Sequence, residues 1–131
     1  MALSKLVLAD DEQYIAIAYN DGLTRAGFEV VVVNDGAEAL AAIQREKPDM
    51  VLLDVIMPKM NGFEVLRAVK ADPELKKIPV VILSNLSQAT DEAEARGLGA
   101  ADFVVKSDYS IKQLIARITK LIPKSSSAKS K

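Results

Sequence analysis

Runs of apolar, mostly β-branched residues recur along the chain, and segments with helical spacing lie between them. The runs are continuous rather than alternating, which is typical of strands buried on both faces of a sheet. They predict five strands, of which the first, third and fourth are central and the second, just after Glu29, is an edge strand. The five runs are residues 6–9, 30–33, 50–53, 80–83 and 103–105.

The first two intervening segments predict helices with clear ends. Helix 1 is expected over residues 12–26, because Gly27 is a typical helix stop signal. Helix 2 is expected to begin after Asp35 and to end before Pro48, since a residue before proline disfavours helical geometry. The apolar spacing of helix 2 predicts three buried positions, which are Ala37, Leu40 and Ile43.

The other three helices differ in how strongly they are marked. Asn61 with Glu64, and Ser110 with Gln113, have the spacing of a capping box, so helices 3 and 5 are expected to begin there. Helix 4 is expected over residues 88–98 and lacks large apolar anchors. Its apolar residues are mainly Ala89 and Ala93.

Five strands alternating with five helices predict an α/β fold in which helices doubly wind a parallel sheet. The expected strand order is 2-1-3-4-5, the flavodoxin-like order, whose switch point lies between strands 1 and 3. One domain is expected over residues 1–123, because Pro123 ends helix 5. The Ser/Lys-rich segment 124–131 is expected to be a disordered tail.

Composition excludes several kinds of site. The 131 residues include no cysteine and no histidine, so neither a disulfide framework nor a Ser-His triad can be built. The net charge of −1 is not the basic balance of a nucleic-acid-binding protein. Residues 1–5 lack the features of a secretory signal, and no apolar run approaches the roughly 20 residues that span a bilayer. We therefore expect a cytoplasmic protein that contacts neither nucleic acid nor membrane.

Three acids and one lysine follow the predicted strands. Asp10 and Asp11 come after strand 1, Asp54 after strand 3 and Lys106 after strand 5, while Ser84 ends strand 4. The carboxyl ends of parallel strands share one edge, so these side chains are expected to be neighbours. Carboxylates brought together repel one another unless a cation or protons intervene. The pattern therefore predicts a Mg²⁺ site with a nucleophilic aspartate, and hence a phosphorylation switch.

Each group has an expected role in that chemistry. Mg²⁺ prefers oxygen ligands and keeps several waters, so Asp11 and Asp54 are expected as direct ligands and Asp10 as an acid that acts through water. Transfer of a phosphoryl group to a carboxylate needs positioning and charge neutralisation. Lys106 is expected to supply part of that charge, and Ser84 a hydroxyl for a phosphoryl oxygen. Each residue alone has an ordinary structural explanation, and only their coincidence at four strand ends favours a site.

At this point the chain resembles the response-regulator receiver domains of bacterial two-component signalling, in the manner of a single-domain chemotaxis regulator. The resemblance covers about residues 4–123. It rests on Ala-Asp-Asp-Glu at 9–12, Asp-Val-Ile-Met-Pro at 54–58 with Asn-Gly at 61–62, Leu-Ser at 83–84 and Ala-Asp-Phe-Val-Val-Lys at 101–106.

The resemblance implies roles for particular residues. Asp54 is the implied phospho-acceptor, and Asp11 with the backbone carbonyl of Ile56 completes the implied Mg²⁺ ligands. Ser84 and Phe103 match the family's switch pair, in which the hydroxyl turns toward the phosphoryl group and the aromatic ring follows inward. The implied phosphodonor is a histidine kinase or a phosphotransfer protein.

The implied output is a change of a surface formed by helix 4, strand 5 and helix 5, which would bind a downstream protein. The expected state is a monomer, with dimerisation linked to phosphorylation through the same surface. The resemblance implies a self-phosphorylating and self-dephosphorylating switch rather than an enzyme with a separate turnover substrate.

Two positions depart from the family pattern. Ser107 stands where the family usually has a proline, often after a cis peptide bond. A non-proline cis bond costs about 2.5–4 kcal/mol, so the loop is expected to be rebuilt with a trans bond. Asn85 stands where the family usually has a small residue. Both residues flank the site, and neither removes a phosphorylation residue.

Four other functions remain open from the sequence. The chain could be a receiver cut from a larger regulator or hybrid kinase, or an inactive scaffold with the receiver fold. A flavodoxin-like carrier is disfavoured because the acidic loop at residues 10–12 would repel a phosphate. A hydrolase with an aspartyl-phosphate intermediate is disfavoured because the position where it needs an acid holds Ile56.

The side chains two residues after Asp54 and Ser84 are apolar, namely Ile56 and Leu86. In this fold these positions border the path of the attacking water, and apolar groups offer that water no hydrogen bond. We therefore predict a long-lived phosphorylated state. Replacement of Ile56 by a polar residue is expected to speed loss of the phosphoryl group, measured as decay of the phosphorylated mass. An unchanged decay rate would count against this role for Ile56.

Overall fold

The computed structural model describes residues 4–85 and 89–122 of the chain. Some predicted features lie outside this part of the chain. They are the start of helix 4 at Gln88, the end of helix 5 at Pro123, the tail at 124–131 and Leu86. Strands and helices alternate throughout the described residues, as predicted. They are β1 (Lys5–Ala9), α1 (Gln13–Arg25), β2 (Glu29–Val33), α2 (Gly36–Glu46), β3 (Met50–Asp54), α3 (Gly62–Ala71), β4 (Val80–Ser84), α4 (Ala89–Gly97), β5 (Asp102–Val105) and α5 (Ile111–Leu121).

The five strands form one parallel sheet in the order β2-β1-β3-β4-β5, which confirms the predicted fold class. The three interior strands are β1, β3 and β4, as predicted. Strands β3 and β4 are buried along their whole length and β1 is buried beyond Lys5, which fits their unbroken apolar runs. The edge strand β2 is only partly buried. None of the helices in residues 4–85 and 89–122 is long and apolar enough to cross a lipid bilayer.

Alternate residues of each strand point to opposite faces of the sheet, so the core has two layers. Val7 and Ala9 of β1 belong to the layer that also contains buried residues of α2, α3 and α4. Leu6 and Leu8 belong to the other layer, with buried residues of α1 and α5. The helices therefore cover both faces, three on one side and two on the other.

Both predicted capping boxes are present. Asn61 accepts from the backbone N–H of Glu64 and Ser110 accepts from that of Gln113, and each partner side chain accepts from the capping residue in return. These bonds satisfy backbone donors that have no partner inside the helix. Helices α3 and α5 begin where predicted for this reason.

The predicted burial of one alanine is wrong. Ala37 is exposed, because the buried stripe of α2 starts one residue earlier, where Gly36 packs against the backbone of Met60. In α4, Ala93 is exposed, and Ala95 is buried among the side chains that the structure describes. The side chain of Ala89 lies outside what the structure describes. Alanine is small enough to occupy either face, so its spacing is a weak signal.

The loop between β3 and α3 folds back over the end of its own strand. The Gly62 N–H donates to the carbonyl of Val55 at 2.8 Å. A Cβ at Gly62 would lie 2.2 Å from the carbonyl oxygen of Asp54. Only glycine permits this approach, which sets the position of the residues between Asp54 and α3.

We predict that Gly62→Ala destabilises the protein by at least about 2 kcal/mol, because the backbone around Asp54 must move to admit the methyl group. Gly97→Ala is the matched control, since a Cβ at Gly97 meets nothing within 4 Å. There the free energy of unfolding should stay unchanged or rise by up to about 1 kcal/mol. Urea unfolding of both variants measures the difference, and equal effects would show that the close approach costs nothing.

Candidate functional site

The strand register brings the predicted site residues to one edge of the sheet. Ala9 pairs with Leu53, so Asp10 and Asp54 follow at the same level on neighbouring strands. Ser84 pairs with Val105, so Lys106 comes one residue beyond it. As a result, Asp10 and Lys106 are in direct contact although they are 96 residues apart in the sequence.

Lys106 is the centre of this arrangement. Its Nζ atom donates to Asp10 Oδ2 at 2.7 Å and to Glu12 Oε1 at 3.1 Å, and it lies 3.3 Å from Asp54 Oδ2. Lys106, Asp10 and Asp54 are all buried, whereas the side chain of Glu12 is 44% exposed. One ammonium thus faces three carboxylates, so the edge keeps an excess of negative charge when all of them are ionised.

Burial dominates the electrostatics of Asp54. Desolvation by burial, with the negative charge of Asp10 added, raises the pKa of Asp54 to about 7, although the nearby Lys106 acts in the opposite direction. For Lys106, burial disfavours the charged form, but the hydrogen bond to Asp10 and the nearby carboxylates outweigh it, so its pKa is raised. The hydrogen bond from Lys106 lowers the pKa of Glu12.

An open cavity of about 220 Å³ leads to the Asp54 carboxylate. Asp54 is fixed within it, because its Oδ1 atom accepts from the Val55 N–H at 2.9 Å. The buried Ser84 lines the same cavity, as the sequence predicts for a hydroxyl near the acceptor. The lining residues are Asp11, Glu12, Asp54, Ile56, Ser84 and Asn85.

Two further predicted residues of this region, Ile56 and Phe103, differ in their exposure. Ile56 is 64% exposed and lines the cavity, where its side chain is available to solvent. Phe103, the predicted switch aromatic, is buried in the core layer that contains Ala95 of α4. Its ring therefore already lies inward.

The departures at positions 107 and 85 have structural consequences. Residues Lys106–Asp108 form a short 3-10 helix, and the peptide bonds in the described residues are all trans. The trans bond predicted at Ser107 is therefore confirmed. Asn85 is exposed at the mouth of the cavity, where its Nδ2 donates to Glu12 Oε1 at 3.1 Å.

The donor set fits a hard divalent cation. Asp10, Glu12 and Asp54 each bring one carboxylate oxygen to within 4.8 Å of the others. Oxygen ligands of this kind are those that Mg²⁺ prefers. Asp11 is exposed and is not part of this group of three, although it lines the same cavity. The roles of Asp10, Asp11 and Ile56 as metal ligands stay predictions.

Sequence reasoning missed Glu12 as a member of the cluster. It treated this residue only as part of an acidic loop, yet Glu12 contacts Lys106 and Asn85. Its position next to two acids after β1 was the available signal. What the spacing could not indicate was that the Glu12 side chain turns back toward the lysine.

Comparisons with known proteins agree with this geometry. Residues 6–119 match the family model of the response regulator receiver domain. The chain is 39% identical over 118 residues to the probable transcriptional regulator ycf27 of Cyanophora paradoxa, covering 90% of this chain and 48% of that protein. It spans about half the length of the curated relatives it matches.

Solved structures extend the likeness to the fold. The chemotaxis response regulator CheY4 of Vibrio cholerae superposes with a TM-score of 0.86 at 30% identity, covering 92% of this chain and 100% of that one. The phosphorylated cyanobacterial phytochrome response regulator RcpA gives a TM-score of 0.78 at 32% identity, covering 92% and 91%. The chain belongs to the response regulator receiver domain family.

The raised pKa of Asp54 predicts a pH-dependent cost to folding. In the unfolded chain this carboxyl ionises near its ordinary pKa of 3.8, and in the folded protein only near 7, so stability falls as pH rises between these values. Without Mg²⁺, Asp54→Asn should therefore be more stable than the wild type by about 1–3 kcal/mol at pH 8. The difference should vanish below pH 4.

Urea unfolding in the presence of a chelator, at pH 4 and at pH 8, measures this effect. Asparagine keeps an oxygen that can accept from the Val55 N–H, so the substitution removes charge more than structure. A variant that is less stable than the wild type at pH 8 would show that the Lys106 attraction outweighs burial.

Proposed function

We propose that this chain is a phosphorylation-activated switch in which Asp54 accepts a phosphoryl group from a histidine kinase or a phosphotransfer protein. One observation carries the proposal. The Asp54 carboxylate is buried at the base of an open cavity, 3.3 Å from the ammonium of Lys106. A nucleophilic oxygen thus lies beside a fixed positive charge and remains reachable by a donor.

In the proposed transfer, a carboxylate oxygen of Asp54 attacks phosphorus and forms a new P–O bond. The P–N bond to the donor imidazole breaks, and its electron pair stays on the nitrogen, which takes up a proton. Lys106 offsets the charge of the phosphoryl oxygens and Ser84 donates its hydroxyl to one of them. The switch has no separate turnover substrate, because water later returns Asp54 to its free carboxylate.

The acidic residues would hold the cation that this transfer requires. Asp11, Asp54 and the backbone carbonyl of Ile56 are the proposed direct ligands, Asp10 acts through water, and Glu12 lies within reach of the same position. When bound, Mg²⁺ supplies positive charge that offsets carboxylate and phosphoryl oxygens. The carboxylate oxygens of Asp10, Glu12 and Asp54, which lie within 4.8 Å of one another, support a cation at this edge, and Asp11 lines the same cavity.

The proposed output surface consists of α4, β5 and α5. Its elements are joined through the buried Asp102, which accepts from Arg117 Nη2 at 2.8 Å and from Arg96 Nη2 at 3.3 Å. Burial disfavours the charged form of Asp102, but the hydrogen bonds from Arg117 outweigh it and keep its pKa below the usual range. Among the α4 side chains that the structure describes, the small Ala95 is buried and Arg96 contacts Asp102, which suits an element that moves.

In this proposal the phosphorylated surface binds a downstream protein in the cytoplasm. The protein is a monomer that dimerises through the same surface on phosphorylation. Neither nucleic acid nor a membrane is contacted by this domain. The phosphorylated state of RcpA, to which the chain is similar, supports a phosphorylation switch.

A second candidate is the receiver part of a longer regulator. The chain covers only 48% of the ycf27 relative, which is a probable transcriptional regulator. In that case the switched surface would act on a neighbouring domain of the same protein rather than on a separate partner.

Incubation with acetyl phosphate, with and without Mg²⁺, tests the phospho-acceptor. We expect the intact mass to increase by one phosphoryl group only when Mg²⁺ is present, because the anionic donor must approach an edge with excess negative charge. Asp54→Asn is the control and should not gain mass. A wild-type protein that binds Mg²⁺ without gaining mass would favour the scaffold alternative instead.

A further inference from the structure

One carboxylate oxygen links two residues of the cavity mouth. Glu12 Oε1 accepts from Lys106 Nζ and from Asn85 Nδ2, each at 3.1 Å. Asn85 follows β4, Glu12 follows β1 and Lys106 follows β5. Three loops of the sheet edge thereby meet at a single atom.

The contact between Glu12 and Lys106 competes with Asp54 for the ammonium of Lys106. Of its three carboxylate partners, Lys106 lies nearest to Asp10 at 2.7 Å and farthest from Asp54 at 3.3 Å, with Glu12 between them at 3.1 Å. Asp10 is buried and also accepts from the Glu12 N–H at 2.9 Å, whereas the Glu12 side chain is half exposed and would be free to turn into solvent. The hydrogen bond from Asn85 holds the Glu12 carboxylate next to Lys106.

We propose that Asn85 is a positioning residue that holds Glu12 on Lys106 and thereby restrains phosphorylation of Asp54. The inference rests on the proposed function, because it concerns the same transfer to Asp54. It adds a control on that transfer that acts through Glu12.

Two physical effects give the restraint. A phosphoryl group on its way to Asp54 needs the Lys106 ammonium, and the ammonium must first weaken its contact with Glu12. The fixed carboxylate also lines the cavity through which an anionic donor enters, so it repels that donor. Both effects decline when Glu12 loses its hydrogen bond from Asn85, because the Glu12 side chain can then turn into solvent.

Asn85→Leu removes the donor and keeps nearly the same side-chain size. We expect its phosphorylation by acetyl phosphate to be about three to ten times faster than that of the wild type, since the loss of one hydrogen bond changes an equilibrium by about that factor. Glu12→Ala should accelerate the reaction at least as much. In the Glu12→Ala background, Asn85→Leu should have no further effect. Intact mass against time measures all four rates.

Asn34→Leu is the matched control, because Asn34 is also an exposed asparagine in a loop but does not line the cavity that leads to Asp54. Its rate should equal that of the wild type. Asn85 and Glu12 are exposed, so thermal unfolding of the variants should remain close to that of the wild type.

The outcomes separate this inference from the proposed function. A wild-type protein that is never phosphorylated at Asp54 would overturn both. Normal phosphorylation with no acceleration by Asn85→Leu would overturn the positioning role alone. An acceleration that persists in the Glu12→Ala background would do the same, because the polar side chain of Asn85 would then act by another route and not through Glu12.

Discussion

The ion pair between Lys106 and the carboxylates of the sheet edge is the interaction on which the site depends. It joins Asp10, which follows β1, and Asp54, which ends β3, to Lys106, which follows β5, and its shortest contact, to Asp10, is buried. Without the ammonium, two carboxylates would lie buried side by side, and buried charges without a partner are strongly destabilising. Other features of the edge keep these groups in place, including the parallel register and the close approach of Gly62 to Asp54.

Much of the fold could be predicted because its signals are local. Continuous Val, Ile and Leu runs mark strands covered on both faces, and the capping pairs at Asn61 and Ser110 mark helix starts. The alanines of α2 carried no comparable signal, since Ala37 was expected in the core but is exposed, and Ala39 and Ala42 are buried instead. Tertiary contacts decide such positions.

The site was predictable in its residue types but not in its geometry. The strand ends place Asp10, Asp54, Ser84 and Lys106 together because parallel strands share an edge. Which of the adjacent acids turns inward depends on the loop after β1, where Asp10 is buried and Asp11 exposed. The contact of Glu12 with Asn85, 73 residues away, could not be found from the spacing of either residue.

Because the core is divided into two layers, a movement of one β5 side chain affects the two faces of the sheet differently. Phe103 and Val104 are neighbours in β5, yet Phe103 packs in the layer of α2, α3 and α4, and Val104 in the layer of α1 and α5. A rearrangement of the Phe103 ring therefore strains one layer through direct packing and reaches the other only through the β5 backbone. Within the proposed output surface, α4 would therefore respond through side-chain packing, whereas α5 would respond through the backbone of β5.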